Sequence, residues 1–169
     1  MRRLTFRLAE LFFMANSTHT YSADERNSSI LININGELIP REKATVSVFD
    51  SGFILGDGIW EGLRVHQGTI PFLIYYLKRL WEGAKALDLD LGISRDALAD
   101  RLFQTLIANN MRDHVHIRLM VTRGIKSTPY QDPAVTISGP TIVIIPEYKA
   151  PDPSLNDRGL RLYTVYTRR

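Results

Sequence analysis

The sequence predicts an α+β domain, and three observations carry that prediction. Strand-like segments come first, two segments of helical period follow, and strands return after them. The helical segments repeat apolar residues at three- and four-residue spacing. Of the late strands, one alternates apolar with polar residues and the next is apolar throughout, the mark of a strand buried on both faces.

Residues 30–34 (Ile-Leu-Ile-Asn-Ile) are rich in strand formers, and Asn35-Gly36 supplies the positive φ angles of a two-residue hairpin loop into 37–40. Residues 44–49 are expected to form a second strand with Val46 and Val48 on one face, broken at Asp50-Ser51-Gly52. Residues 59–66 read as a further strand, turned at Gln67-Gly68 into residues 69–72. A helix follows over 73–87, with Tyr76, Leu77, Leu80, Ala84 and Leu87 as its buried stripe. Ser94 caps the next helix, and Asp96 in its first turn complements the helix dipole. Leu98, Leu102, Leu106 and Ile107 form that helix's apolar face, and Asn109-Asn110 ends it.

Over 115–122, Val115, Ile117, Leu119 and Val121 point one way and His116, Arg118 and Met120 the other. Residues 141–145 are the central strand. The organisation expected is a polar, disordered extension over 1–28 and a small α+β domain over 29–148. A proline-rich linker over 149–158 then leads to the first strand of a second domain over 159–169. Within the first thirteen residues, Arg2, Arg3 and Arg7 alternate with apolar residues, as a transit peptide or membrane-surface helix would. The reading adopted is an upstream extension, with Met14 as the true start.

Composition narrows the function. A chain of 169 residues can bury roughly two-thirds of its unfolded surface. Its net charge of +3 comes from 21 cationic against 18 anionic residues, with no basic run in the domain, which argues against a nucleic-acid partner. Without cysteine there are no disulfides, thiolate metal sites or cysteine nucleophiles, and a reducing, cytoplasmic setting fits. No apolar run reaches the ~20 residues of a membrane span. His19, His66, His114 and His116 have no metal-ligand spacing, and no phosphate-loop or dinucleotide fingerprint occurs. Asp57 and Glu61 read as a turn residue and a strand residue rather than as an acid/base pair.

Three stretches point further: Phe53-Ile54-Leu55-Gly56-Asp57-Gly58-Ile59-Trp60-Glu61-Gly62-Leu63-Arg64-Val65, Tyr76-Leu77-Lys78-Arg79-Leu80, and His116-Ile117-Arg118-Leu119-Met120-Val121-Thr122-Arg123-Gly124. Together, in this order and spacing, they resemble the class IV (fold-type IV) pyridoxal-phosphate aminotransferases, over the N-terminal part of such an enzyme. The resemblance implies the family's small domain and pyridoxal 5'-phosphate as cofactor. It also implies an amino acid and a 2-keto acid as substrates, and a homodimeric parent protein.

Arg79 takes the position of the family's phosphate-holding arginine, which suits a planar donor fork that stays charged. Tyr76 stands where the family usually has histidine, one turn before Arg79. Trp60, Arg64, His116 and Arg118 are the candidates for the substrate side, with arginine suited to carboxylates. His116-Ile117-Arg118 resembles the branched-chain enzymes' Tyr-x-Arg, which favours a branched-chain-like transaminase. Gly56-Asp57-Gly58 keeps the D-amino-acid transaminase and aminodeoxychorismate lyase branches open, beside a stand-alone binding or interface domain.

The family's chemistry needs a lysine amine bound to the cofactor. None of Lys43, Lys78, Lys85, Lys126 and Lys149 lies at the matching position, so no catalytic residue is assigned. The chain is accordingly expected to be a fragment of a longer enzyme, inactive alone.

Overall fold

A computed structural model describes residues 23–150 together with 159, 164 and 166. Most of the expected N-terminal extension, the connector beyond Ala150 and the last expected strand lie outside the described residues. Five strands form one antiparallel sheet: β1 (Leu31–Ile34), β2 (Glu37–Pro40), β3 (Gly58–Val65), β4 (Val115–Thr122) and β5 (Thr141–Tyr148). Their spatial order is β2-β1-β5-β4-β3, so β5 is central and β3 is an edge. Three helices complete the domain: α1 (Ser51–Leu55), α2 (Leu73–Ala86) and α3 (Arg95–Ala108). None of the described helices is long and apolar enough to cross a membrane.

The α+β prediction holds, and β4 runs over the residues expected. Its apolar set, Val115, Ile117, Leu119 and Val121, is fully buried together with Leu63 and Val65 of β3 and Ile142 and Ile144 of β5. Against this face pack Leu77, Leu80 and Ala84 of α2 and Leu98, Leu102 and Leu106 of α3. Burying one such leucine contributes roughly 1.5–3 kcal/mol, so this layer is the main source of stability. The opposite sheet face carries the half-buried His116, Arg118 and Met120. The hairpin loop takes the two positive φ angles expected of Asn35 and Gly36, 54° and 99°.

Several expectations need correction. Residues 44–49 form no strand, and Val46, Val48 and Phe49 are exposed. Alternation there reports an amphipathic segment that has no neighbouring strand to pair with, because the sheet's outer edge is already β2. Asp50-Ser51-Gly52 is a helix start rather than a plain break. The Asp50 side chain accepts from the Gly52 N–H to cap α1, and Gly56 ends α1 at a left-handed φ of 68°. Residues 69–72 contribute a single bridge, His66 to Thr69, rather than a strand.

Leu87 and Ile107 are exposed. Leu87 is already the C-cap residue of α2, where the chain turns off and buries Leu89 instead. Ile107 lies a hundred degrees round from the buried Leu106. Thr105 is buried within the α3 stripe, its hydroxyl donating to the Arg101 carbonyl at 2.7 Å. Finally, Glu25–Ser29, all but its last residue inside the stretch expected to be disordered, forms a 3-10 turn capped by Asp24.

Candidate active site

The edge strand β3 gathers the chemistry, and strand alternation decides which side chains meet there. Glu61 pairs with Leu119 across the ladder and shares its core-facing side, so its carboxylate, 3% exposed, needs a cation. Arg79, reaching across from α2, is that cation. Its Nε donates to Glu61 Oε1 at 2.8 Å and its Nη2 donates to Oε2, a side-on, bidentate pair. This carboxylate holds the Arg79 pKa above its ordinary value. Tyr76, one helical turn earlier, lies under the guanidinium with its ring centre 5.4 Å away. Around Arg79 two shallow clefts open. One, of about 340 Å³, is lined by Phe72, Tyr75, Tyr76 and Arg79. The other, of about 280 Å³, runs along Ile59, Trp60, Glu61, Arg79 and Gly83.

The remaining predicted residues occupy the other sheet face. Trp60 pairs with Met120, Gly62 with Arg118 and Arg64 with His116. Arg118 lies diagonally over Trp60, its Cζ 4.1 Å from the ring centre, a cation–π contact. His116 leans over Gly62, where a Cβ would come within 3.1 Å of its Nε2, so the glycine makes room for the imidazole. Arg64 turns away along the sheet, donating to the Lys149 carbonyl at 2.6 Å. The structure therefore brings Trp60, Gly62, His116 and Arg118 together, and sets Arg79 across the sheet from them. The cleft along the β3 edge reaches Trp60 and Arg79 alike.

Burial, and then the positive charges of Arg64, Lys149 and Arg118, lower the His116 pKa below 6.5, with Glu147 opposing. The imidazole is therefore neutral at pH 7, and the cationic character of this face belongs to its arginines. The unfolded chain takes up this proton near 6.5 while the folded chain takes it up only at lower pH. The His116 contribution is thus full above about pH 6.5 and is lost as pH falls through the folded value. Urea midpoints measured from pH 7.5 down to 5 should fall less steeply for His116→Gln than for the parent. Identical slopes would show that His116 titrates as it does in the unfolded chain.

Two motif residues turn out to be scaffold. Arg123 makes a two-pronged ion pair with Asp57, Nε to Oδ2 at 2.7 Å and Nη2 to Oδ1 at 3.3 Å. The same guanidinium donates to the Asp88 and Leu87 carbonyls at 2.9 and 2.8 Å, closing the C-terminal end of α2. Glu61 was readable as a strand residue, but its role was missed. The available signal was a carboxylate in phase with Leu63 and Val65 on the apolar side of its strand.

Comparison with known proteins gives the family. A family model described as amino-transferase class IV matches residues 58–169. "Branched-chain-amino-acid aminotransferase-like protein 1" of Arabidopsis thaliana is 43% identical over 143 residues, 85% of this chain and 26% of that protein. A putative branched-chain-amino-acid aminotransferase of Methanocaldococcus jannaschii is 38% identical over 82% of this chain and 46% of its own. Among solved structures, the branched-chain amino acid aminotransferase of Escherichia coli superposes with a TM-score of 0.63. It is 22% identical, over 70% of this chain and 41% of that one. The chain thus spans between about a quarter and just under half of the length of the relatives it matches. Class IV aminotransferases are pyridoxal-phosphate enzymes acting on amino acids and keto acids, and another solved structure of this fold was obtained with pyridoxamine 5'-phosphate. With residues 58–169 matched by the family model and relatives at about 40% identity over most of its length, this chain belongs to the class IV aminotransferase family.

Proposed function

We propose that this domain supplies the phosphate anchor and one wall of the substrate pocket of a pyridoxal-phosphate transaminase. Its reaction moves an amino group between an amino acid and a 2-keto acid, with branched-chain-like substrates. The observation that carries the reading is Arg79. Two of its five N–H donors are taken by Glu61, and the side chain is still 68% exposed. A guanidinium with donors to spare beside an aromatic cleft fits a phosphate-bearing aromatic ring. Bound pyridoxal phosphate supplies the electron sink for the transfer. Arg79 would hold its phosphate, and Trp60 would wall the cleft between the cofactor and the substrate. Arg118, steadied on the Trp60 ring, would take the substrate carboxylate, with the neutral His116 as a hydrogen-bonding neighbour and Arg64 at the rim.

The branched-chain reading is supported by the two relatives of that name. The homodimer implied for the parent protein is supported by the exposed apolar side chains Val46, Val48, Phe49 and Phe53. The cytoplasm is the proposed compartment, in keeping with a cysteine-free chain. The domain organisation proposed is a small domain over 29–148 joined by residues 149–158 to a further domain.

The test is the affinity of this chain for pyridoxal phosphate relative to pyridoxal, which lacks the phosphate, followed by fluorescence titration. Arg79→Ala should reduce that ratio about 10- to 100-fold, the size expected for losing a charge-assisted phosphate contact. A ratio unchanged by Arg79→Ala would end the anchor assignment.

A further inference from the structure

Resting on the phosphate-anchor reading of Arg79, the geometry points to Glu61 as the positioning residue for that anchor. It holds the side edge of the guanidinium so that only the end edge, Nη1 with Nη2, is offered to a phosphate.

A guanidinium has two edges that can grip an oxyanion with two parallel N–H groups, the side edge (Nε with one Nη) and the end edge (both Nη). In this chain the side edge is occupied, Nε on Glu61 Oε1 and Nη2 on Glu61 Oε2. Glu61 is fixed in turn. It sits in the middle of β3, in register with Leu119, and is 3% exposed. Arg79 is its hydrogen-bonding partner among the described residues. The two members of the pair therefore differ in freedom, a buried carboxylate on a strand and an exposed guanidinium on a helix face. An arginine side chain has many rotamers to lose. A ligand binding a free arginine must order it, whereas here the carboxylate has already fixed its plane. Tyr76 supports the same plane from α2.

The arrangement also limits the anchor. A carboxylate beside the guanidinium offsets much of its charge, so the site discriminates by direction more than by attraction. It should prefer a ligand whose phosphate approaches from the end edge, along the cleft that runs from Arg79 past Trp60.

The experiment measures the pyridoxal phosphate to pyridoxal affinity ratio for four full-length chains: parent, Arg79→Ala, Glu61→Asp and Glu61→Gln. Glu61→Asp keeps the charge and shortens the reach by one methylene, so it tests orientation alone. It should lower the ratio about tenfold, which loss of folding, weakening both ligands alike, would not do. Glu61→Gln keeps the reach but faces Nη2 with an amide N–H. The charge it removes is buried and little screened by salt, so on charge alone the ratio would rise, and lost orientation should hold it at or below the parent's. Circular dichroism identifies which variants fold. If Arg79→Ala lowers the ratio but a folded Glu61→Asp leaves it equal or higher, or a folded Glu61→Gln raises it, the positioning role is overturned and the anchor stands. If the parent shows no preference for the phosphate, or Arg79→Ala does not change it, the anchor reading fails and takes this inference with it.

Discussion

Replacing Arg123 with alanine lowers the folding stability of the chain by about 3 kcal/mol, close to the figure for breaking a buried ion pair. The cause is that one side chain closes three pieces of structure at once. Its guanidinium is 15% exposed and the Asp57 carboxylate 21%, so both are largely withdrawn from water in the folded chain. The deletion leaves that carboxylate without its cation, and leaves the Leu87 and Asp88 carbonyls at the end of α2 without their donor. Arg123→Lys should recover less than half of the loss, because an ammonium cannot span two carbonyls and both carboxylate oxygens in one plane. Lys78→Ala is the contrast, since its pair with Glu82 is 3.8 Å long with both side chains 64% exposed, and its removal should cost under about 1 kcal/mol. Urea denaturation reads both. With a slope of about 1–3 kcal/mol per molar, Arg123→Ala should move the midpoint by about 1 M or more. Midpoints for Arg123→Ala and Lys78→Ala that coincide would show that the clamp contributes nothing.

How much of this was legible in the sequence depended on whether one element carried the signal by itself. The period of α2 and α3, the alternation of β4 and the apolar run of β5 are local patterns imposed by a single buried face. They placed those elements within a residue or two, except that β5 continues to Tyr148. Residues 44–49 show the limit, since alternation states which side chains differ in polarity and not whether a partner strand exists. Helix ends show another, because Leu87 kept the period but fell where α2 had already stopped.

The candidate site was legible in a different way. Arg79 is one exposed helix arginine among many on periodicity alone, and only its surrounding motif singled it out. Its partnership with Glu61 joins residues eighteen apart on two elements, which no local pattern reports. Trp60 and Arg118 were each placed on the correct face by alternation, but their stacking depends on the β3–β4 register. The motif Thr122-Arg123-Gly124 is the instructive case. Its arginine lines neither of the two clefts, and its threonine hydroxyl donates to the buried Asp50 at 3.0 Å, which caps α1. The segment that helped to identify the family secures the frame on which the site residues stand.

Gly124 completes that frame, and Gly124→Ala should be among the most damaging small substitutions in the described chain, at about 2–6 kcal/mol. Two independent costs add. The residue has φ of 107°, a region in which an L side chain is strained by about 1–3 kcal/mol. A Cβ there would also run into the Gly139 carbonyl oxygen and come within 2.5 Å of Ser138 Oγ. Backbone cannot swing aside as a flexible side chain can, so the loop before β5 must move, at a further 1–3 kcal/mol or so. The loop is held from both sides. Ile125 N–H donates to Ser138 Oγ at 2.8 Å, and the Ile137 N–H donates to the Ile125 carbonyl at 2.8 Å. On the other flank the Ser51 N–H donates to the Gly124 carbonyl at 2.9 Å, tying the start of α1 to the end of β4. Gly139→Ala is the control, because its Cβ would meet nothing within 4 Å, and it should stay within about 0.5 kcal/mol of the parent. Hydrogen exchange separates a general loss from a local one. Displacing this loop should release the amides of Ser51 and Ile125 before those of β4, while the sheet face bearing Trp60 and Arg118 follows only on global unfolding. A Gly124→Ala chain with unchanged midpoint and unchanged Ser51 protection would mean that this crossing of α1, β4 and the loop does not hold the frame.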